Sequence, residues 1–399
     1  MGAGRWRVPD LALVGVAAFT MNAGLQAYQA LFTPFFVHDL HFNAQALGGV
    51  ESLREVPGFL TVALAAVTVR FRVARLAAFA LLLMSAGLAG IAWTHQFWPL
   101  VAVGTVWSVG FHLFSPLNNG LVLAAARSGQ EGRALGVMGA VGAAGSIGGM
   151  ALVFIAVGAL GVRGSFVPAG LIVLVGVAAL LLMRNKREAP RPRLVARRRY
   201  SIYYTLTLLD GSRRQIFSTF AVFLLVKLYG LDVEHLTVLL VFNSIVTTLV
   251  TPAIGAVIDR YGERRMLALN YACLIPLFAG YALVHNVLVL GVLYCIDNAF
   301  FAFGLGINSY LGRIASPEDV TPSLVMGSTV NHIAAVGVPI LGGLIWTRLG
   351  YQVTFLAGAA TCLLSVLAAL AIHTGATHAP SLVDPLTSAE PREHLPELA

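Results

Sequence analysis

Twelve predominantly apolar stretches dominate this chain, at roughly 10–35, 45–69, 75–94, 97–124, 135–159, 164–183, 202–229, 233–257, 265–284, 287–312, 322–346 and 350–373. Each is close to the ~20 residues an α-helix needs to cross the hydrocarbon of a bilayer. Only 11% of the 399 residues are charged, against ~25% in soluble domains. That leaves too little charge to coat a water-facing surface and excludes a soluble enzyme, a nucleic-acid-binding domain or a disordered scaffold. The expected class is an all-α polytopic membrane protein with twelve transmembrane helices in two pseudo-symmetric six-helix bundles. The division reads 1–184 for the first bundle, 185–201 for a basic linker, 202–373 for the second bundle and 374–399 for a tail. The first run reads as a retained helix, because it is too long for a signal-peptide core and carries Asn22 and Gln26 without a small-residue cleavage site.

Orientation follows from arginine placement, since Lys186 and Lys227 are the only lysines. With the N-terminus inside, twenty of the 26 basic residues fall in cytoplasmic segments. Arg163, Lys227 and Arg348 fall on the opposite side, and Arg54, Arg213 and Arg214 lie within spans. This bias places both termini in the cytoplasm and the protein in the cell's inner membrane. The net charge of +8 therefore belongs to loops rather than to a nucleic-acid-binding patch. Eight basic residues lie in the linker Arg184–Ser201, where they can lean on anionic headgroups at ~1 kcal/mol each. The tail, with Pro380, Pro385, Pro391 and Pro396 among acidic residues, is expected to be disordered. Cys273, Cys295 and Cys362 lie in apolar runs without CxxC spacing, so no disulfide framework, metal or cofactor is expected.

Shifted by 188 residues, the chain meets itself in weak register: Val137-Met138-Gly139 meets Val325-Met326-Gly327, and Arg72 meets Arg260. Two halves with the same in/out sense imply parallel repeats about an axis along the membrane normal, with a seam between them through which a solute could pass.

After the eighth run the chain reads Gly255-Ala-Val-Ile-Asp259-Arg260-Tyr-Gly262-Glu-Arg264-Arg265. Gly255 permits close helix contact, Asp259 can pair at a helix N-terminus, and the arginines hold the loop inside. This loop resembles the signature loop of the major facilitator superfamily, and the span count, the repeat and the basic linker resemble that family over the whole chain. The resemblance implies that the loop gates the cytoplasmic helix ends, latching them in one conformation and releasing them in the other. The corresponding first-half loop, Val69 to Arg75, departs from the pattern, with Phe71 in place of the aspartate and Ala74 in place of the second glycine. The fifth run carries Gly136, Gly139, Gly142, Gly145, Gly148 and Gly149 without the Gly-Pro step of the family's exporters, a spacing that also serves plain tight packing.

Seven ionisable groups fall within spans: Glu51, Arg54, Glu55, Asp210, Arg213, Arg214 and Asp297. At ~2.5–3.5 kcal/mol each, seven unpaired groups would exceed the stability of a domain, so they must pair or face water at the seam. Glu51, Arg54 and Glu55 share one helix face. One arginine cannot balance two carboxylates, which nominates Glu55, with Glu51, as a reversible proton carrier. A static salt bridge is the alternative. In the seventh run Asp210 reaches Arg213 or Arg214, leaving one arginine without a partner on its own helix. That arginine could grip an anionic solute or pair with carboxylates of the second or tenth run. Asp297 and Asp210 are further proton-coupling candidates. The resemblance implies that helices one, four, seven and ten line the cavity, which adds Asn22, Gln26, Tyr28, His112, Asn118, Asn119 and Asn298; Asn331-His332 is a further polar pair.

No Walker loop, H-E-x-x-H or G-x-S-x-G is present, so the expectation is a transporter and not an enzyme. The leading reading is a proton-coupled permease, acting as a monomer by alternating access on a small organic solute that is anionic or zwitterionic. Its partners would be the solute, protons and the lipid bilayer. The alternatives are a proton antiporter of lipophilic drugs and a transporter-like sensor that binds without turnover.

Overall fold

The computed structural model describes residues 8–60, 71–126, 130–183 and 196–372, and all of their regular elements are helices. They are α1 (Val8–Pro34), α2 (Ala44–Phe59), α3 (Val73–Gly90), α4 (Phe97–Ala125), α5 (Glu131–Leu181), α6 (Ser201–Tyr229), α7 (Val233–Tyr261), α8 (Glu263–Leu283), α9 (Val287–Phe300), α10 (Leu305–Ile314), α11 (Pro317–Leu349) and α12 (Tyr351–Leu370). Most of the linker and the whole tail lie outside the described residues. Nine helical stretches among those described are long and apolar enough to cross a membrane. The protein is therefore a multi-pass membrane protein. The apolar runs at 135–159 and 164–183 form the single element α5, broken only at Gly161, whose φ of 67° takes the chain out of helical geometry. The tenth run is divided into α9, a 3-10 turn at Phe301–Gly304, and α10. α6 has the length of a span but concentrates Asp210, Arg213 and Arg214 in its first half.

Local chemistry sets the helix ends. Asn43, Asp232 and Asn286 cap α2, α7 and α9 by accepting from backbone N–H groups at 2.8 to 3.2 Å. At Asp232 the bond from the His235 backbone N–H leads in holding the carboxyl below its ordinary value. Gly262 and Gly350, with φ of 82° and 92°, each turn the chain directly from one long helix into the next.

The start of α1 defines one end of the bundle, here termed proximal; the opposite end is distal. At the distal end Arg163 ties the α5 kink to its neighbours. It donates to the Ala92 and Thr94 carbonyls at 3.1 and 2.7 Å and pairs with Asp39 at 3.6 Å. α1 packs along α5, and the glycine row makes that possible: a Cβ on Gly145 would lie 2.2 Å from the Phe19 carbonyl oxygen, and one on Gly149 2.1 Å from that of Ala23. Toward the proximal end the row continues through Gly139, Gly136 and Gly132, where a Cβ would meet nothing within 4 Å. The glycines thus serve tight packing over the distal half, whereas over the proximal half side chains mediate the contact, as at Gly15, where a Cβ would lie 3.6 Å from Met138 Cε.

Helices preceding and following the linker meet most closely where α2 crosses α11, at the distal end. A Cβ on Gly48 would lie 2.0 Å from the Pro339 carbonyl oxygen and one on Gly343 2.5 Å from that of Ala44, while Ser52 Oγ accepts from the Ile340 N–H at 3.1 Å. Backbone is in contact with backbone there, so neither side can yield locally. Gly48→Ala should therefore cost about 1–3 kcal/mol of this closed arrangement. The expected outcome is faster labelling of a Ser52→Cys reporter by an impermeant maleimide in the Gly48→Ala background; unchanged labelling would refute the close crossing.

Candidate functional site

Two charge clusters lie within the bundle. The first is built on α2, whose i, i+3, i+4 spacing sets Glu51, Arg54 and Glu55 side by side. Arg54 Nη2 pairs with both carboxylates, at 2.6 Å to Glu51 and 2.9 Å to Glu55 Oε1. Its guanidinium also lies 5.5 and 5.1 Å from the ring centres of Tyr28 and Trp107, which stack on each other. Tyr28 donates its hydroxyl to Glu51 at 3.3 Å. Glu55 Oε2 turns away from Arg54 toward two imidazoles, 3.5 Å from His112 Nε2 on α4 and 3.3 Å from His332 Nδ1 on α11. The cluster therefore spans the linker: α2 and α4 precede it, α11 follows it. The Ser108 hydroxyl donates to the Arg54 carbonyl, and His112 Nδ1 donates to the Ser108 carbonyl at 2.9 Å.

The second cluster is built on α6. Asp210 Oδ1 accepts from Arg213 Nη2 at 3.0 Å, and its Oδ2 accepts from Arg214 Nη2 at 3.0 Å. Arg213 Nη1 donates to Asp297 of α9 at 3.2 Å, and Tyr271 of α8 donates to Asp210 at 3.3 Å. Both guanidinium groups lie over the Phe301 ring, at 4.9 and 4.7 Å. The arginine expected to lack a partner on its own helix does not exist in this conformer, because one carboxylate uses its two oxygens on two arginines. Arg213 and Asp297 are fully buried, whereas the Arg214 side chain is 37% exposed and its buried Nε has no partner. Arg214, not Arg213, is thus the accessible arginine of the pair.

Beside the first cluster lies a polar cavity of about 110 Å³. Glu51, Arg54 and Glu55 line one side of it and Gln215, Ser218 and Thr219 of α6 the other. Sites for drug-sized ligands measure about 300–1,000 Å³, so this space is too small for a drug-sized ligand in the conformer described.

The remaining expected site residues are not gathered here. Asn22 and Asn298 spend their amides on the Ala18 and Tyr294 carbonyls of their own helices, at 2.8 and 3.0 Å. Gln26 is half-buried and Asn119 exposed, and neither forms a hydrogen bond among the described residues. In the signature loop Asp259, Arg260, Arg264 and Arg265 are exposed, and Asp259 has no ion pair among the described residues. Gly255 meets no neighbour within 4 Å, so it does not provide close helix contact in this conformer. The proximal ties run instead through two buried carboxylates. Glu263 accepts from Ser309 at 2.5 Å and pairs with Arg313 at 2.9 Å. Asp319 pairs with Arg197 and Arg199 at 2.7 and 2.5 Å and accepts from Tyr200 at 2.9 Å. Neither carboxylate stands inside an apolar run, so neither drew attention as a misplaced charge.

The comparisons agree with this architecture. The family model of the Major Facilitator Superfamily matches residues 14–311. The nucleoside transporter NupG is similar in structure at a TM-score of 0.74 and 16% identity, over 91% of this chain and 98% of its own. A bacterial homolog of the human lysosomal transporter Spinster, in an inward-facing and unoccupied conformation, gives 0.76 at 12% identity over 92% and 97%. The peptide transporter POT in complex with alafosfalin gives 0.74 at 13% identity over 91% and 93%. No curated protein sequence matches the chain. The residues matched by the family model and the shared helical architecture lead to one conclusion: the chain belongs to the Major Facilitator Superfamily and is a transporter rather than an enzyme.

Proposed function

We propose that the protein is a proton-coupled secondary transporter of a small anionic or zwitterionic organic solute, in which the Glu55 cluster carries the proton and Arg214 meets the solute. The observation that carries this reading is a charge imbalance in the first cluster. Asp210, Asp297, Arg213 and Arg214 balance one another, whereas Glu51, Glu55 and Arg54 leave one negative charge, beside two imidazoles and a water-sized cavity. One proton neutralises the first cluster, and its ligands come from both sides of the linker. Proton occupancy therefore bears directly on whether α11 stays against α2 and α4.

With both termini in the cytoplasm, as the arginine bias supports, the α2–α11 crossing faces outward, and this conformer is closed to the outside. The two halves, 1–184 and 202–373, then rock about the seam in a single chain. The similar nucleoside and peptide transporters fit a polar organic solute, and a half-exposed guanidinium fits one bearing a carboxylate or phosphate. A site for lipophilic cations has no use for an exposed, partly unpaired arginine.

Glu55→Gln in proteoliposomes should abolish accumulation driven by a pH gradient and spare solute counterflow; undiminished accumulation would move coupling away from Glu55. Arg214→Ala should raise the Kd for the solute about 10- to 150-fold, the worth of a charge-assisted hydrogen bond, measured by binding to purified protein. An unchanged Kd, or unchanged drug export, would favour the lipophilic-cation antiporter. Binding that never leads to flux would favour the sensor. Arg213→Ala should behave differently, because it strands the buried Asp297 and leaves Asp210 with Arg214 and Tyr271 only. A loss of about 3–5 kcal/mol should appear as a lowered melting temperature in detergent before any solute is added.

A further inference from the structure

We infer that Glu55, His112 and His332 form a binding site for a divalent transition-metal ion of the zinc class, one that staples α11 to α2 and α4 in this conformer. The donor atoms all lie within 4.8 Å of one another. Glu55 Oε2 stands 3.5 Å from His112 Nε2 and 3.3 Å from His332 Nδ1. Two ligands each about 2.0–2.2 Å from a tetrahedral ion are separated by about 3.3–3.5 Å, and the two separations from Glu55 Oε2 match that spacing. Two imidazoles and one carboxylate suit zinc, cobalt or nickel, whereas calcium and magnesium require an all-oxygen shell.

Three features of the surroundings prepare the donors. The only hydrogen of the Ser108 hydroxyl is spent on the Arg54 carbonyl, so Ser108 cannot donate to His112 Nδ1; that nitrogen carries the proton and donates to the Ser108 backbone at 2.9 Å. His112 Nε2 is thereby left with its lone pair facing Glu55, held by the kind of outer hydrogen bond that orients metal-bound histidines. His332 Nδ1 is buried and has no hydrogen-bond partner. Glu55 divides its oxygens, Oε1 to Arg54 at 2.9 Å and Oε2 to the imidazoles, while Glu51 holds the same guanidinium at 2.6 Å. The excess negative charge offsets half of a divalent ion. Gly58 makes the meeting possible: a Cβ there would lie 2.3 Å from His332 Cε1 and 2.6 Å from His112 Nε2.

A metal ion here competes with the proton for the same atoms and links helices on either side of the linker, so it should hold the distal seam closed. The test uses tag-free protein in detergent, titrated with Zn²⁺ by calorimetry and with Co²⁺ by visible absorption. Expected are one Zn²⁺ per chain and an intense visible Co²⁺ band. His112→Ala and His332→Ala should each weaken Zn²⁺ at least 100-fold. Gly58→Ala, which removes no ligand, should weaken it about 10- to 100-fold. Zn²⁺ should also raise the melting temperature and slow labelling of Ser52→Cys, and do neither when His332→Ala is added. Zn²⁺ bound no more tightly by the wild type than by the His112→Ala/His332→Ala double variant would overturn the site, and equal thermal shifts with and without His332 would overturn the staple. Neither measurement involves solute or a pH gradient, so failure here is distinguishable from failure of the transport reading.

Discussion

Ionised side chains inside an apolar helical bundle control what this molecule can be. Each is tolerable only if an opposite charge, a polar donor or water meets it, and the two solutions found here differ. Around Arg213 the charges balance and the guanidinium is fully buried: two carboxylates and an aromatic face enclose it, and a tyrosine hydroxyl supports one of the carboxylates. Around Arg54 the charges do not balance. The guanidinium satisfies one oxygen of each glutamate, and the second oxygen of Glu55 is left to two imidazoles and a small cavity. A closed network of the first kind stabilises one arrangement; an open one of the second kind has an unmet demand for positive charge, which a proton or a metal ion can fill.

The helix packing gives that demand leverage. Where α2 crosses α11, and where α1 lies on the distal half of α5, glycines bring backbone against backbone. Such contacts cannot be adjusted by rotating a side chain, so they are made or broken as units. The Glu55 cluster lies along the same α2–α11 contact, only a turn or two from Ser52. Filling or emptying it therefore acts on an interface that is close to all-or-none, the kind of element through which a local charge change becomes a shift between conformations.

Much of this was legible in the amino-acid order. Apolar runs marked most helices, and the misplaced charges pointed to both clusters. The spacing of Glu51, Arg54 and Glu55 set them on one face, and that of Asp210, Arg213 and Arg214 allowed either arginine to pair on its own helix. What spacing could not tell was how a carboxylate divides its oxygens: Asp210 serves both arginines, and Arg54 serves both glutamates. Nor could it separate Arg213 from Arg214, adjacent residues of the same type that differ entirely in exposure. The amides of Asn22 and Asn298 bond to carbonyls one turn back, a local solution always open to a helical asparagine and invisible to a count of polar residues.

Sequence by itself thus determined the class, the helix material and the need for internal compensation, because these depend on transfer energies and on periodicity along a single helix. Only tertiary structure decided that His332, some 277 positions beyond Glu55, faces the same carboxylate oxygen as His112, and that the proximal ties run through Glu263 and Asp319 rather than Asp259. Such pairings depend on which helices are neighbours and on how closely glycine lets them approach. That is a property of the packed bundle, and no periodicity within one segment encodes it.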